Sequence, residues 1–577
     1  MIKIILSLLL AVSVTGCKGE DQSQAFLDFV NNYTLEEISN DYVSMHTYFE
    51  IPENYGIDVD NVEVSLGDRI TEDSHKDYQV FLAELRLELD SFKRKNLNEE
   101  ARKIYDEFTL KLNQNIELSQ DDYMYLGSYF EADTGIHVDM TTLFSEWVLR
   151  DESDVKELLL LVGDVKEYMA SLVDYTVKQA EKGYLMVDLD SVIEYCQGIV
   201  ESGRNSSILV TMKDNIDKLD LDSGESYKTQ LEDVFMSSFV PAYKNICDTF
   251  TDLKLYKNNL NGLYYLNHGK EYYEDLVKVK IGSDKSISDI KDMLEEYARI
   301  ALKNMQKIYL EDNRVIDKAD QLKTEFKDYN EIMEYLKKSI VNDFPGVENL
   351  NYEINEIDPK LASSGISAYY VVPAIDSREK KQIKVNNHNN TRDINDIRTY
   401  TTNAHEGIPG HMYMFGYLYE NCDHLYYKVN NNLCFTEGYA TYVEFYSMKY
   451  LNQLDHNALE LLKYNEIYSS CMIALSDIGI HYEGWDFGEF SRFLEANGMT
   501  NDKDILQKQY KQLQANPTAF IPYYVGVVEV LQLREYAVNK LGDAFVDQEF
   551  HKALLQDGSR TFNVIEENIK DYIEEHK

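Results

Sequence analysis

The sequence predicts a mostly α-helical protein with one small β-sheet. Proline is rare, at 8 of 577 residues, and the 27 glycines are also few, as in helical proteins with few long irregular stretches. Apolar residues recur at spacings of three and four through long segments, such as DVKELLLLVGDVKEYMASLVDYTVKQAEKG, which ends at Gly183. A hydrophobic fraction of 44% indicates a globular chain, and the length allows several core-forming units.

Residues 1–17 are predicted to be a signal peptide with a lipidation site. Lys3 precedes an apolar run from Ile4 to Val14, which is too short to span a bilayer. The sequence Val-Thr-Gly-Cys at the end of the signal resembles the lipobox of bacterial lipoproteins. That resemblance implies lipidation of Cys17 and an extracytoplasmic position on the bacterial cell envelope, with the lipid as the only membrane anchor. An ordinary secretory signal with an incidental cysteine is the alternative.

Two regions are expected after the signal. Residues 18–345 form a predicted N-terminal helical region. Near residue 345 the segment FPGVENLNYEINEIDP interrupts the helical pattern, and GISAYYVVPAID and KQIKVNN follow as short predicted strands. The predicted catalytic region, 346–577, therefore contains a small sheet (350–390), helices that carry the site (393–450) and C-terminal helices (455–577). An exposed edge strand beside the site can pair with an extended peptide.

Charge and cysteine usage exclude some classes of function. The formal net charge of −44 argues against a nucleic-acid partner, because phosphate binding requires clustered lysine and arginine. A well-solvated acidic surface explains this charge, and a preference for cationic substrates is the alternative. The cysteines after Cys17 include no CxxC pair and do not predict a disulfide scaffold. Whether Cys422 and Cys434 form a disulfide stays open.

The segment HEGIPGH, residues 405–411, carries the candidate metal site in an HExxxGH pattern. On a regular helix His405 and His411 lie about 120° apart around the axis, so they cannot bind one ion without distortion. Pro409 has no N–H group and its ring clashes with the preceding turn, and Gly410 allows backbone angles that other residues avoid. We therefore predict that the helix is bulged or broken at 409–410, with both imidazoles turned toward one point.

Glu437, in the segment FTEGYATYVEFYSMKY, is the predicted third ligand. It follows His411 by 26 residues, which is enough for a loop and a returning helix. Two histidines, one glutamate and a water form a known catalytic set for Zn²⁺, so one zinc ion is the predicted cofactor, although Mn²⁺ or Co²⁺ can substitute. Glu444 shares a helical face with Glu437 and is predicted to orient a ligand histidine. A solvated or helix-pairing glutamate is the alternative.

Several segments together resemble the bacterial family called domain of unknown function 885. They are AHEGIPGHMYM, FTEGYATYVE, the run from IPYYVGVVEV to LLQDG, and AYYVVPAIDSREKKQIKVNN. This resemblance is strong after about residue 360 and weaker before it. The family is similar to gluzincin-type zinc metallopeptidases, which implies peptidase activity. By the resemblance His405, His411 and Glu437 match the metal ligands and Glu406 matches the general base.

The sequence departs from the family pattern at two positions. Many members have a second histidine where this chain has Met412, so His411 must serve as the ligand. Many members have tryptophan where this chain has Tyr439, which is a conservative aromatic change.

The resemblance and helical spacing together give further candidate site residues. Tyr523 matches a family tyrosine three residues before Gly526 and is the candidate hydrogen-bond donor to the oxyanion. Arg534 lies on nearly the same helical face and could bind a substrate carboxylate, which would favour carboxypeptidase-like action. His551 matches another family position and is expected to line the site. The alternatives are a packed aromatic residue, a structural ion pair and a structural histidine, respectively.

These predictions combine into a function. We expect a zinc-dependent hydrolase of peptide bonds, anchored on the bacterial cell surface, with Glu406 as general base toward a zinc-activated water. The fold expected from the resemblance is a large helical metallopeptidase-like fold, with a deep cleft and the small sheet next to the active-site helix. A non-catalytic peptide-binding lipoprotein and a zinc amidase that acts on a non-peptide amide are the alternatives.

Overall fold

The computed structural model describes residues 21–132, 134–357, 367–377, 379–388 and 393–577. The predicted signal peptide and Cys17 lie outside these residues. The described part of the chain is mostly α-helical with one three-stranded sheet, so this part of the predicted fold class is confirmed. The described residues divide into two compact units. The first comprises those of Met1–Thr47, Ile51–Tyr273 and Gln507–Pro517, and the second those of Tyr48–Glu50, Glu274–Leu506 and Thr518–Lys577.

The first unit is built from helices. In chain order they are α1 (Ser23–Ser39), α2 (Tyr42–Tyr48), α3 (Glu72–Leu89), α4 (Glu99–Leu118), α5 (Ile136–Ser145), α6 (Glu152–Lys182), α7 (Leu189–Ser202), α8 (Ser207–Lys218), α9 (Gly224–Val234) and α10 (Val240–Leu253). A π-helical turn, Phe235–Phe239, joins the last two. Helix α11 (Gly269–Ile281) begins in the first unit and ends in the second.

Helix α6 shows how the sequence pattern produces these elements. The carboxylate of Asp151 caps its first turn by accepting hydrogen bonds from the N–H groups of Ser153 and Asp154. The helix ends where Gly183 adopts a left-handed conformation, with φ of 81°, which glycine favours. Between these ends the apolar residues spaced at three and four are buried, as the periodicity predicts.

The second unit contains the sheet and the remaining helices. Its elements are α12 (Ile287–Glu311), α13 (Val315–Asp320), α14 (Tyr329–Ser339), β1 (Tyr352–Glu356), β2 (Ala368–Val371), β3 (Lys381–Val385), α15 (Ile397–Glu406), α16 (His411–Asn421), α17 (Leu425–Val429), α18 (Leu433–Ser447), α19 (His456–Ile478), α20 (Phe487–Ala496), α21 (Lys503–Ala515), α22 (Ile521–Leu541), α23 (Asp547–Leu555) and α24 (Phe562–His576). Helix α21 begins in the second unit and ends in the first.

The sheet lies between the helical segments of the second unit, where the sequence predicts it. Its strand order is β1-β3-β2, with β1 parallel to β3 and β2 antiparallel to β3. Tyr370 of β2 is opposite Ile383 of β3, and its N–H points away from β3 because it donates to Glu406 of α15. The edge strand β2 therefore lies directly beside the helix that ends in HEGIPGH. The deep cleft stays a prediction.

Two glycines allow α18 and α22 to approach closely. A Cβ atom on Gly526 would lie 2.0 Å from the carbonyl oxygen of Cys434, and one on Gly438 would lie 2.4 Å from the Cα of Gly526. Any larger residue would have to push the two backbones apart. Because Glu437 precedes Gly438 and Tyr523 lies about one turn before Gly526, this contact fixes the position of one predicted site residue relative to the other.

Two further findings concern the membrane and the cysteines. Within the described residues, every helix is either too short or too polar to cross a membrane. Cys422 and Cys434 are both free thiols, which answers the question that the sequence left open.

Candidate metal centre

The HEGIPGH segment is a break between two helices. Helix α15 ends at Glu406 and α16 begins at His411, so residues 407–410 form a turn. The N–H of Gly410 reaches back to the carbonyl oxygen of Ala404 at 2.9 Å, and the chain then re-enters a helix. The predicted break at 409–410 is therefore present, and it starts two residues earlier than expected.

Gly410 and Tyr439 hold this turn in place. A Cβ atom on Gly410 would lie 1.8 Å from the carbonyl oxygen of His405, so only glycine allows the chain to fold back so tightly. The hydroxyl group of Tyr439, a fully buried residue of α18, donates a hydrogen bond to the carbonyl oxygen of Pro409 at 2.8 Å. The turn is thereby attached to the helix that carries Glu437.

The turn brings His405, His411 and Glu437 together. One potential ligand atom from each residue lies within 4.8 Å of the other two. The Nε2 atoms of both histidines are 3.5 Å from Oε2 of Glu437. Two ligand atoms bound to a tetrahedral Zn²⁺ at about 2.1 Å are separated by about 3.4 Å. The donor types and these separations therefore fit a zinc ion.

Glu444 lies behind His405. Its Oε1 atom is 2.7 Å from Nδ1 of His405, so that Nε2 of the same ring is turned toward Glu437. Glu437 and Glu444 are about 20° apart around α18, which explains why both reach this imidazole. Burial lowers the pKa of His405, but the hydrogen bonds to Glu437 and Glu444 outweigh it and leave the pKa raised. Burial raises the pKa of Glu437, but the two imidazoles lower it to about 2.

Glu406, the predicted general base, is the last residue of α15 and adjoins the first ligand. Its Oε2 atom accepts a hydrogen bond from the backbone N–H of Tyr370 in β2 at 2.9 Å. Burial raises the pKa of this carboxyl group, and the neighbouring His405 and His411 only partly oppose the effect. The carboxyl group is therefore held at the edge of the sheet by this bond, on the residue that follows the candidate ligand His405.

Tyr523 lies in the first turn of α22. Burial raises the pKa of its phenol, and the negative charges of Glu437 and Glu406 raise it further. The contact of Gly526 with Gly438, the neighbour of Glu437, places this turn of α22 beside the candidate metal centre. The hydroxyl group is accordingly kept in its protonated form, in which it can donate a hydrogen bond.

Comparison with known proteins supports the resemblance seen in the sequence. The family model described as "Bacterial protein of unknown function (DUF885)" matches residues 54–569. The chain belongs to the DUF885 family. The match covers both compact units of this DUF885 protein and includes every candidate site residue from His405 to His551. Among proteins with curated descriptions, none matches the sequence.

Two solved structures share the fold of this DUF885 chain. One, from Colwellia psychrerythraea, has a TM-score of 0.80 and 16% identity over 97% of this chain and all of its own. The other, from Shewanella oneidensis, has a TM-score of 0.63 and 15% identity over 96% of this chain and 99% of its own. Both are described as a "putative lipoprotein", the second also as "of unknown function". At this level of identity the likeness shows the fold alone.

Arg534, predicted from its helical spacing from Tyr523, is paired with an acidic side chain in this DUF885 structure. Its Nη2 atom donates to Oδ1 of Asp547 at 2.7 Å, and its guanidinium lies 5.2 Å from the ring centre of Phe545 and 5.9 Å from that of Tyr446. Tyr446 is about 180° around α18 from Glu437. These contacts are those of a structural ion pair and give no support to binding of a substrate carboxylate.

His551 belongs to the same buried cluster as Arg534. Its Nδ1 atom lies 2.6 Å from the carbonyl oxygen of Asp343, and its Nε2 atom lies 2.9 Å from the hydroxyl group of Tyr442. Its ring stacks on Phe344 at 3.8 Å and is fully buried. Burial lowers the pKa of this imidazole to about 3, so it stays neutral. The contacts of His551 are those of a structural histidine, the alternative reading.

Three residues shape the candidate site of this DUF885 protein although the sequence does not predict these roles for them. Tyr370 binds Glu406 through its backbone, so its side-chain type carries no signal. In the sequence, Tyr439 stands out only as a departure from the family pattern, and Gly438 is only one residue of the FTEGYATYVE motif. The close contacts of Gly438 and Tyr439 depend on neighbours that are distant along the chain, Gly526 and Pro409.

Proposed function

We propose that this DUF885 protein is a zinc-dependent metallopeptidase. The observation that carries the proposal is the convergence of His405, His411 and Glu437 on one point, with Glu406 at the adjacent position. Both imidazoles lie 3.5 Å from the same carboxylate oxygen, close to the separation of two ligands on a tetrahedral zinc ion, and this supports the assignment. A peptide-binding protein without activity has no need for Glu406 beside a complete ligand set.

The proposed chemistry assigns a separate role to each residue. A zinc ion held by the three ligands would activate a water molecule and polarise the substrate carbonyl. Glu406 takes a proton from that water and passes it to the leaving amine. Tyr523 donates a hydrogen bond to the carbonyl oxygen as negative charge develops on it. Arg534 has no role in this scheme because it is paired with Asp547.

The edge strand β2 supports a peptide as substrate. Strand addition to a sheet edge positions an extended peptide through backbone hydrogen bonds. The outward N–H of Tyr370 is already bonded to Glu406, so a peptide that paired with the remaining outward-facing groups of β2 would lie beside the proposed base. Attachment of the protein to the cell surface through Cys17 is part of the proposal. It is supported by the lipobox-like sequence and by the lipoprotein descriptions of the two similar structures.

Metal content and peptide cleavage test the proposal together. We expect the purified protein to contain about one zinc per chain, to cleave members of an unstructured peptide library, and to lose activity with a chelator and regain it with zinc. Elemental analysis and mass spectrometry of the products provide the two readouts. Absence of metal would contradict the whole site. Zinc with peptide binding but no cleavage would favour the peptide-binding alternative, and cleavage of N-acyl amides alone would favour the amidase.

Replacing Glu444 by glutamine is expected to weaken zinc binding by about 10- to 100-fold without removing a ligand. The amide of glutamine is neutral and is a weaker acceptor than the carboxylate for the hydrogen bond from His405. The imidazole therefore becomes a weaker and less well-oriented zinc ligand. Competition with a chromophoric chelator measures the change. The matched control is Glu495→Gln, at an exposed position of α20, which should leave the affinity unchanged. Equal affinity for the two variants would contradict the role assigned to Glu444.

A further inference from the structure

The loop between α10 and α11 exposes a cluster of large apolar side chains. In this segment, residues 254–268 and hereafter the Leu–Tyr loop, Leu255 is 87% exposed and Leu260 is 65% exposed. The side chains of Tyr256, Tyr264 and Tyr265 are exposed as well. Single exposed apolar residues are common on protein surfaces, but several in one short segment indicate an interaction surface.

The Leu–Tyr loop is held by hydrogen bonds within the first unit. The N–H of Asn259 donates to the carbonyl oxygen of Leu185 at 2.8 Å. The side-chain amide of Gln514 donates to the carbonyl oxygens of Asn259 and Asn261, at 3.2 and 3.0 Å. Leu263 is fully buried and fixes the loop against the unit. The exposed leucines and tyrosines are therefore presented by an ordered backbone.

The composition of the loop matches the interface of a lipid bilayer. Tyrosine is enriched at the level of the lipid headgroups, leucine is favoured in the acyl region, and lysine is attracted to lipid phosphates. Residues 253–270 contain three lysines and no acidic residue, in a chain whose net charge is −44. Lys254 is already paired with Asp190 at 2.6 Å, so apolar insertion rather than charge must provide most of the affinity.

The distance from the proposed lipid anchor places a bilayer within reach of the first unit. Only residues 18–22 separate Cys17 from α1, which begins at Ser23. A fully extended chain spans at most about 3.6 Å per residue, so the anchor would hold the start of α1, at Ser23, within roughly 20 Å of the membrane surface. We propose that the Leu–Tyr loop inserts into this membrane surface as a second attachment point. This inference rests on the lipid anchor of the proposed function and not on its zinc chemistry.

Vesicle binding by unlipidated protein tests the inference. The chain from residue 18 onward, which keeps every described residue, is mixed with vesicles of phosphatidylcholine, alone or with phosphatidylglycerol, and bound protein is measured by cosedimentation. We expect binding to both vesicles. The double variant Leu255→Ser/Leu260→Ser should lower the partition coefficient by about tenfold or more, because two inserted leucine side chains are lost.

The matched control removes two leucines that are exposed elsewhere in the first unit. Leu87 of α3 and Leu160 of α6 are 73% and 58% exposed, so Leu87→Ser/Leu160→Ser makes the same chemical change outside the loop. This control should bind within about twofold of the wild type. Circular dichroism of both double variants verifies that they are folded.

Several results would overturn the inference. One such result is equal binding by the two double variants. Another is a wild type that binds neither kind of vesicle. Binding to phosphatidylglycerol vesicles alone that disappears in high salt would show attraction of charge without insertion. The wild type could instead fail to bind vesicles and self-associate in sedimentation, while the Leu255→Ser/Leu260→Ser variant stays monomeric. That result would identify the loop as a contact between copies of the chain. Because the assay needs neither metal nor substrate, its outcome is independent of whether the peptidase proposal holds.

Discussion

Glu406→Gln is expected to lower kcat for peptide hydrolysis by about 10²- to 10⁴-fold, which is the usual contribution of a general acid–base group. Glutamine has nearly the same shape as glutamate, and its carbonyl oxygen can still accept the hydrogen bond from the N–H of Tyr370. It cannot, however, take a proton from water. The ligands His405, His411 and Glu437 are untouched, so zinc content and KM should stay near the wild-type values.

The control for this variant separates chemistry from charge. Glu495→Gln removes one negative charge from an exposed position of the same unit and should leave kcat unchanged. Steady-state kinetics and elemental analysis of both variants provide the comparison. A Glu406→Gln protein with full zinc and an unchanged kcat would exclude Glu406 as the base. One that lacks zinc would indicate that Glu406 supports the site structurally instead.

Gly526→Ala is expected to have the largest effect on stability. Its new methyl group would lie 2.0 Å from the carbonyl oxygen of Cys434, which belongs to the backbone of α18 and cannot rotate away. Overpacking of a core typically costs about 1–3 kcal/mol, and a clash with backbone falls at or above the upper end of that range. Separation of α18 from α22 also moves Glu437 relative to Tyr523, so zinc affinity and activity should fall together.

A glycine in open surroundings provides the control. Gly198 lies inside α7, and a Cβ atom there would meet no atom within 4 Å. Gly198→Ala should therefore leave stability unchanged or raise it by up to about 1 kcal/mol, since alanine favours helix. Thermal unfolding of both variants measures the difference. Equal midpoints for Gly526→Ala and Gly198→Ala would contradict the close approach of the two helices.

The parts of the site that the sequence predicts are those that depend on local chain geometry. The break in HEGIPGH follows from the properties of Pro409 and Gly410, and the pairing of Glu437 with Glu444 follows from helical periodicity. The small sheet follows from a change of pattern over a few residues. In each case the decisive information lies within a short segment, although the turn in fact extends back to Gly407.

The parts that the sequence does not predict depend on distances between elements. Tyr523 and Arg534 share a helical face, but eleven residues of helix separate them by about 16 Å along the axis. A shared helical face is therefore weak evidence that two residues belong to one site. In the structure Arg534 is paired with Asp547. The backbone bond from Tyr370 to Glu406 and the contact of Gly438 with Gly526 exist only after distant segments have packed together.

The hydrogen bond from Tyr439 to Pro409 indicates which side chains can occupy position 439. Tyrosine here, and the tryptophan expected at this position from the family resemblance, are the two large aromatic side chains that carry a hydrogen-bond donor. Phenylalanine would fill the same space but would leave the buried carbonyl of Pro409 without a partner, at a cost of about 1–3 kcal/mol. Substitutions at this position are therefore expected to keep a side chain that can donate a hydrogen bond. Sequences with phenylalanine there are expected to lack the turn at 407–410 as well.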